Sequence, residues 1–183
     1  MSRINTFASI EAAPAAAQPL LEGAKKQLGS VPNLFRVIAN SPAALEGYFG
    51  LSGALSKGQL DAKTRERIAL AVAEVNGCGY CLSAHTYLGK NVAKLDDAEI
   101  TANRNGASND PKADVAVRFA VKIVHERGHV SDNDVAAVKL AGFDDAHVLE
   151  IVAHVALNTL TNYINEVAKT EIDFPAIAPR KAA

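Results

Sequence analysis

Residues 57–90 contain two runs of apolar residues at helical spacing, separated by the dipeptide Asn76-Gly77. The apolar positions recur every three or four residues, at Ile68, Val72, Val75, Tyr80, Cys81, Ala84 and Leu88. Asp61 is a residue type that caps helices, and glycine is common just beyond a helix C-terminus. We therefore predict a hairpin of two helices over 57–90, with a break at Asn76-Gly77 and a second end at Gly89.

The same start and stop signals recur along the rest of the chain. Ser41, Ser131 and Asp144 each precede an apolar run, and a proline follows Ser41 at the first helical position. Further helices are predicted from Pro42 to about Ser56, from Asp96 onward, and over 114–127, 131–141 and 144–169. Residues 1–30 are predicted to form an arm and a short helix, and residues 170–183 an extended, proline-containing tail.

The composition agrees with one all-α domain over residues 1–183. A chain of 183 residues is long enough for a domain that buries roughly 70% of its unfolded surface. Trp is absent and aromatic residues make up only 5% of the chain, whereas Ala, Val and Leu dominate. This bias favours closely packed helices over a β-sandwich.

The charge and hydropathy patterns exclude several classes of partner. Lys and Arg number 19 against 20 Asp and Glu, and no basic block that suits nucleic acid or a membrane surface stands out. The longest strongly apolar stretch, Ile68 to Ala73, is far shorter than the roughly 20 residues of a spanning helix. The apolar run Thr6 to Ile10 is too short for a signal peptide, so we expect a soluble, cytoplasmic protein.

The only two cysteines, Cys78 and Cys81, lie three residues apart. On a helix, Cys78, Cys81 and His85 fall on one stripe, so the spacing places two thiols and an imidazole together. Cysteines at i and i+3 lie within reach of a disulfide with little backbone movement. In a reducing compartment such a pair is typical of redox chemistry or metal binding.

A reactive cysteine must be a thiolate. Lowering a thiol pKa from about 8.5 to about 7 takes roughly 2 kcal/mol, more than the 0.3–1 kcal/mol of a helix N-terminus. His85 is the obvious further source, and such a histidine usually needs a carboxylate to orient it. The preceding helix offers both Glu66 and Glu74 for that purpose.

Other assignments of these residues remain open at this stage. Zinc could take the two thiolates, His85 and Glu66 as ligands. His147, Glu150 and His154 form a second stripe that could supply two metal ligands and a base. Polar side chains at Asn158, Asn162 and Asn165 make a row that favours a hydrogen-bonded seam between helices or subunits.

The run RERIALAVAEVNGCGYCLSAH, residues 65–85, resembles the core motif of the AhpD-like alkylhydroperoxidases within the carboxymuconolactone decarboxylase superfamily. The segments VPNLFRVIANSP, residues 31–42, and EIDFP, residues 171–175, resemble the branch called peroxidase-related proteins. The resemblance covers about residues 30–175. It implies an AhpD-like helical bundle with the two-helix Cys-x-x-Cys hairpin at its core.

The resemblance also assigns roles to individual residues. It places the proton-relay glutamate on Glu66, the redox cysteines on Cys78 and Cys81, and the relay histidine on His85. In the family the second cysteine attacks peroxide and the first resolves the sulfenic acid. The chain departs from AhpD itself at Tyr80, where that protein has a second relay histidine, and a phenol is the poorer proton shuttle at neutral pH.

The function implied is a thiol-dependent peroxidase that reduces hydroperoxides through a dithiol/disulfide cycle. It requires no metal or organic cofactor, takes its electrons from a thiol or protein reductant, and forms a homo-oligomer, usually a trimer or hexamer. The alternatives are a thiol-disulfide exchange or redox-sensing protein, and a lyase similar to carboxymuconolactone decarboxylase. Such a lyase would use Glu66 and His85 without thiols.

Overall fold

The computed structural model describes residues 2–180, which contain nine α-helices and no strand. The predicted all-α class is therefore confirmed. In chain order the helices are α1 Gln18–Leu28, α2 Asn33–Ile38, α3 Pro42–Leu55, α4 Ala62–Val75, α5 Gly79–Asn91, α6 Asp97–Arg104, α7 Pro111–His125, α8 Asp132–Leu140 and α9 Asp145–Ala168. Over this part of the chain, no helix combines the length and apolar character needed to cross a membrane.

Side-chain caps begin most of the helices. The predicted caps are confirmed at Ser41, Asp61, Ser131 and Asp144, each of which accepts a hydrogen bond from the backbone of the first helical turn. Ser131 forms a reciprocal capping box with Asp134. These caps satisfy backbone N–H groups that have no partner within the helix.

Helix α4 occupies the centre of the molecule. It contacts α5, α6, α7 and α9, and its residues 67–73 are all buried. Ile68 and Val72 face an apolar cluster shared with α7, α8 and α9, whereas Leu70 faces the cluster shared with α1, α2 and α5. Burying each of these three side chains contributes roughly 1.5–3 kcal/mol, so the backbone that carries Glu66 is firmly held.

A buried ion pair fixes the residue next to Glu66. Arg67 Nε lies 2.7 Å from Glu99 Oε1, which also accepts hydrogen bonds from Asn103 and Ser108. Burial alone raises the pKa of Glu99, but the hydrogen bonds from Ser108, Asn103 and Arg67 outweigh it and lower the pKa to about 2. The charged pair thereby ties α6 and the loop after it to α4.

The structure corrects two helix boundaries and adds one helix. Helix α5 runs past Gly89 to Asn91, so the predicted end at Gly89 is wrong. A Cβ at Gly89 would lie 3.4 Å from Leu95 Cδ1, so glycine here permits close packing rather than ending the helix. Helix α7 begins at Pro111, before the predicted start at Asp114, and the short helix α2 was not predicted.

The segment after α9 crosses the first turns of α5. Residues 170–180 form no helix, as the prolines at 175 and 179 predict. Ile177 N donates to Ser83 Oγ at 2.8 Å, and the Phe174 ring lies 5.9 Å from that of Tyr80, edge to face. This segment therefore covers one side of the helix end that carries the cysteines.

Candidate active site

Both cysteines lie at the N-terminal end of α5. Gly77 adopts a left-handed backbone conformation with φ of 67°, which turns the chain sharply between α4 and α5. Cys78 is the N-cap of α5, and its Sγ accepts a hydrogen bond of 3.3 Å from the backbone N–H of Cys81. Both are free thiols, with exposed fractions of 0% for Cys78 and 3% for Cys81.

The two thiols differ in acidity. A hydrogen bond from Cys78 lowers the pKa of Cys81 to about 6, and His85, Asn165 and Asn162 reinforce the shift against the effect of burial. The same hydrogen bond, together with burial, raises the pKa of Cys78. Cys81 is therefore the more acidic of the two thiols.

His85 and Glu66 form a hydrogen-bonded pair across the hairpin. His85 Nδ1 lies 2.9 Å from Glu66 Oε2. Burial alone lowers the pKa of His85, but the charge of Glu66, the hydrogen bond to it and the charge of Cys81 raise the pKa overall. His85 lies one helical turn beyond Cys81, so an imidazole with a raised pKa, held by a carboxylate, is near the more acidic thiol.

Glu66 and His85 are the most exposed residues of the candidate site. The side chains of Glu66 and His85 are each 21% exposed, whereas both sulfurs are buried. The segment after α9 lies against the first turn of α5, near Gly79. Of the four candidate residues, Glu66 and His85 are therefore the two with appreciable exposure to solvent.

Glu74, the other carboxylate considered for His85, is engaged elsewhere. Its Oε2 lies 2.5 Å from Arg104 Nε, and its Oε1 accepts a hydrogen bond from the backbone of Arg180. Glu74 therefore holds the chain after α9 in place. Of the two carboxylates, Glu66 is the one that contacts His85.

Two asparagines of α9 reach the cysteines, which sequence spacing did not indicate. Asn165 Nδ2 donates to Cys81 Sγ at 3.2 Å, although the residues are 84 positions apart. Asn162 accepts a hydrogen bond of 2.8 Å from Asn76, and its amide favours the charged form of the same thiol. Asn162 and Asn165 therefore bond between helices, as predicted for the row, whereas Asn158 donates to the backbone of its own helix.

The Tyr80 hydroxyl forms its hydrogen bonds outside the cysteine–histidine site. The hydroxyl donates to Asp173 Oδ1 at 2.7 Å and accepts from Leu34 N at 3.1 Å. Burial raises the pKa of Tyr80 well above the ordinary range, and the Asp173 carboxylate adds to the shift. Tyr80 therefore ties α5 to α2 and to the segment after α9.

The stripe of His147, Glu150 and His154 on α9 has structural roles. Glu150 accepts hydrogen bonds from the backbone of residues 59 and 60, and His147 belongs to the capping box of Asp144. Burial and the charge of Arg65 lower the pKa of His154 to about 4. Among residues 2–180 no group of three or more His, Cys, Asp or Glu side chains is arranged to hold a metal ion.

A protein-family model matches the central part of the chain. The model of the carboxymuconolactone decarboxylase family matches residues 42–126, a span that contains Glu66, Cys78, Cys81 and His85. An uncharacterized protein of Haemophilus influenzae is 53% identical over 45 residues, which are 24% of this chain and 40% of that protein. The match thus covers less than half of the length of that relative.

Comparison with solved structures finds the same fold over nearly the whole chain. The alkylhydroperoxidase AhpD core of an uncharacterized peroxidase-related protein from Ralstonia eutropha JMP134 is 24% identical, with a TM-score of 0.84 over 94% of this chain and 92% of that one. A peroxidase-related protein from Silicibacter sp. TM1040 is 22% identical, with a TM-score of 0.80 over 93% and 91%. The debrominase Bmp8 in complex with 2,3,4-tribromopyrrole is 17% identical, with a TM-score of 0.77 over 93% and 91%. The AhpD-like fold expected from the sequence is therefore confirmed.

Proposed function

We propose that the chain is a member of the AhpD-like, carboxymuconolactone decarboxylase superfamily and a thiol-dependent peroxidase acting through Cys81 and Cys78. The observation that carries this proposal is that three groups lie around Cys81. A Cys78 thiol, an Asn165 amide and the histidine of the Glu66–His85 pair all stabilise its thiolate.

In the first step the Cys81 thiolate attacks the terminal oxygen of a hydroperoxide. The S–O bond forms as the O–O bond breaks, which oxidises the sulfur to a sulfenic acid and reduces the peroxide to an alcohol. His85 supplies the proton that the leaving alkoxide needs. Since Nδ1 of His85 is bonded to Glu66, Nε2 is the nitrogen that exchanges this proton.

In the second step Cys78 resolves the sulfenic acid. Its sulfur attacks the Cys81 sulfur, the S–S bond forms, and hydroxide leaves as water with the proton of the Cys78 thiol. The i, i+3 spacing suits this closure, because such residues lie at disulfide distance on a helix. An external thiol or protein dithiol then reduces the disulfide by exchange and becomes a disulfide itself.

We also propose that the protein acts as a homo-oligomer, a trimer or hexamer. Five apolar side chains of α9, at successive intervals of three, eight, three and four residues, are exposed to solvent. They are Leu149 at 69%, Val152 at 43%, Leu160 at 44%, Tyr163 at 58% and Val167 at 64% exposed. An exposed apolar face of this length is typical of a protein interface. The same helix carries Asn162 and Asn165 on its buried side, so the proposed subunit contact would lie across one helix from the proposed site.

The test is a free-thiol count on reduced protein before and after a small excess of an organic hydroperoxide. The proposal expects the loss of two thiols per chain, slowed in His85→Ala, with formation of an internal disulfide that Cys81→Ser cannot make. Thiols that survive for hours in the wild type contradict it. Rapid oxidation by a disulfide but not by a peroxide would instead identify a thiol-disulfide exchange protein, and a decarboxylase-like activity that survives Cys81→Ser would favour a lyase.

The thiol count is repeated with a brominated pyrrole in place of the hydroperoxide, because the debrominase of this fold was crystallised with 2,3,4-tribromopyrrole. Replacing one bromine by hydrogen takes two electrons, which a dithiol supplies when it becomes a disulfide. Thiol loss with the hydroperoxide and not with the bromopyrrole supports the peroxidase. The reverse result contradicts it.

A further inference from the structure

We propose that Asn165, supported by Asn162, is a positioning residue whose amide fixes the charge on Cys81 and so makes Cys81, rather than Cys78, the attacking sulfur. The charge assignment starts from the hydrogen bond between Asn165 and Cys81 and does not depend on the reaction. The role in attack rests on the proposed peroxidase function.

The contact between Asn165 and Cys81 joins two distant parts of the chain. Asn165 is 2% exposed, and its Nδ2 donates to Cys81 Sγ at 3.2 Å. Within residues 2–180, its Oδ1 is buried without a hydrogen-bond partner, so the bond to sulfur is the only one that the side-chain amide makes there. A buried amide with an unpaired oxygen is costly, and a charged acceptor is the kind of partner that offsets such a cost.

Asn162 adds a second amide from the next turn of α9. It is fully buried, and Asn76 at the end of α4 donates to its Oδ1 at 2.8 Å. That bond fixes the orientation of the amide and leaves its Nδ2 buried and unpaired. The hydrogen bond from Asn165 and the nearby amide of Asn162 both favour a negative charge on Cys81.

The arrangement distinguishes between the two sulfurs. The described hydrogen bonds of Asn165 and Asn162 include one to Cys81 and none to Cys78. The hydrogen bond with Cys81 and burial disfavour the ionisation of Cys78. Among the described hydrogen bonds, helix α9 therefore presents a neutral donor to Cys81 and none to Cys78, which distinguishes the two sulfurs.

The titratable groups around Cys81 come from four elements. They are Cys78, Tyr80 and His85 at or on α5, Glu66 on α4, Tyr48 on α3 and Glu166 on α9. Unlike all of these groups, the two asparagine side chains do not titrate, yet they lower the pKa of Cys81. Replacing one of them with an apolar residue therefore shifts the pKa of Cys81 without adding a new ionisation.

The test is a titration of thiolate absorbance near 240 nm on the reduced full-length protein, with the doubly alkylated protein as blank. The chain has no Trp and only four Tyr, which keeps the background low. Asn165→Leu removes the donor, and Asn165→Asp keeps the shape but replaces a donor by an acceptor. Asn158→Leu is the matched control, because Asn158 is buried one to two turns away and donates only to the backbone of its own helix, at His154.

The proposal expects the thiolate midpoint to rise by about one to two pH units in Asn165→Leu and by more in Asn165→Asp. The control keeps the wild-type midpoint. In peroxide assays the rate of Asn165→Leu falls several-fold below neutral pH and recovers toward high pH, whereas a purely structural loss lowers the rate equally at every pH.

An unchanged midpoint in both folded Asn165 variants overturns the inference, as does an equal shift in Asn158→Leu. If the wild-type thiols do not react with peroxide but the midpoint shifts as expected, the proposed peroxidase function fails while the charge assignment stands. The two failures are therefore separable in one set of proteins.

Discussion

His85 Nδ1 and Glu66 Oε2 lie 2.9 Å apart, on the two helices that meet at Gly77. The contact joins positions 19 residues apart and depends on the burial of α4 against four other helices. It places an imidazole with a raised pKa one turn from a thiol with a lowered pKa. The proposed chemistry depends on this pair of opposite shifts.

The first prediction concerns the pH dependence of the reaction with hydroperoxide. Since the pKa of Cys81 is lowered to about 6, the reactive thiolate forms as the pH rises through that value, and the rate rises with it. Since the pKa of His85 is raised, the proton needed by the leaving alkoxide is lost only at higher pH, where the rate falls again. Stopped-flow rates of thiol oxidation between pH 4.5 and 9.5 should trace a bell, and a rate that climbs only near the ordinary cysteine pKa of about 8.5 argues against this account.

The second prediction separates the two glutamates of α4. Glu66→Gln keeps the size of the side chain but removes the charge that raises the pKa of His85, so peroxide reduction should slow by about 10- to 100-fold. Glu74→Gln is the matched control, because Glu74 contacts Arg104 and not the histidine. Equal effects of the two substitutions on the rate, with both proteins folded by circular dichroism, would remove Glu66 from the relay.

The third prediction concerns Tyr80. Tyr80→Phe removes the hydroxyl between Asp173 and the backbone of Leu34, which leaves a buried N–H unpaired and should cost about 1–3 kcal/mol in the free energy of unfolding. The rate of thiol oxidation per folded molecule should stay within about twofold of wild type, since the hydroxyl takes no part in proton transfer. A large loss of rate at unchanged stability, measured by denaturant unfolding, would make Tyr80 part of the relay.

The fourth prediction concerns assembly. Tyr163→Glu places a charge within the exposed apolar face of α9 and should convert the proposed trimer or hexamer to smaller species by light scattering. Leu140→Glu is the control, because Leu140 is 89% exposed on α8, away from that face. A monomeric wild-type protein contradicts the oligomer, and dissociation caused by Leu140→Glu contradicts its assignment to α9.

Local signals were enough to predict much of the fold. Helix caps such as Asp61 and Asp144 depend on residues only a few positions apart, and so does the left-handed turn at Gly77. Such features can therefore be predicted directly from the sequence. Gly89 was misjudged because its role depends on Leu95, which packs where a side chain would stand. Periodicity does not distinguish a glycine that ends a helix from one that allows a close approach.

The candidate site likewise contains some contacts that local spacing predicts and others that it does not. Cys78, Cys81 and His85 share one helix face, so their proximity follows from spacing. Glu66 was selected over Glu74 by resemblance, because spacing along α4 leaves both within reach. The contact of Asn165 with Cys81 spans 84 residues and depends on how α9 crosses α5, which no local pattern reveals.

The most direct test of the central claim is the mass of each single-cysteine variant after one equivalent of an organic hydroperoxide, with a sulfenic-acid trap present. The account predicts that Cys78→Ser gains one trapped sulfenic acid at Cys81, and that Cys81→Ser stays unmodified over the same interval. A sulfenic acid that forms at Cys78 in Cys81→Ser, while Cys78→Ser remains inert, would contradict it.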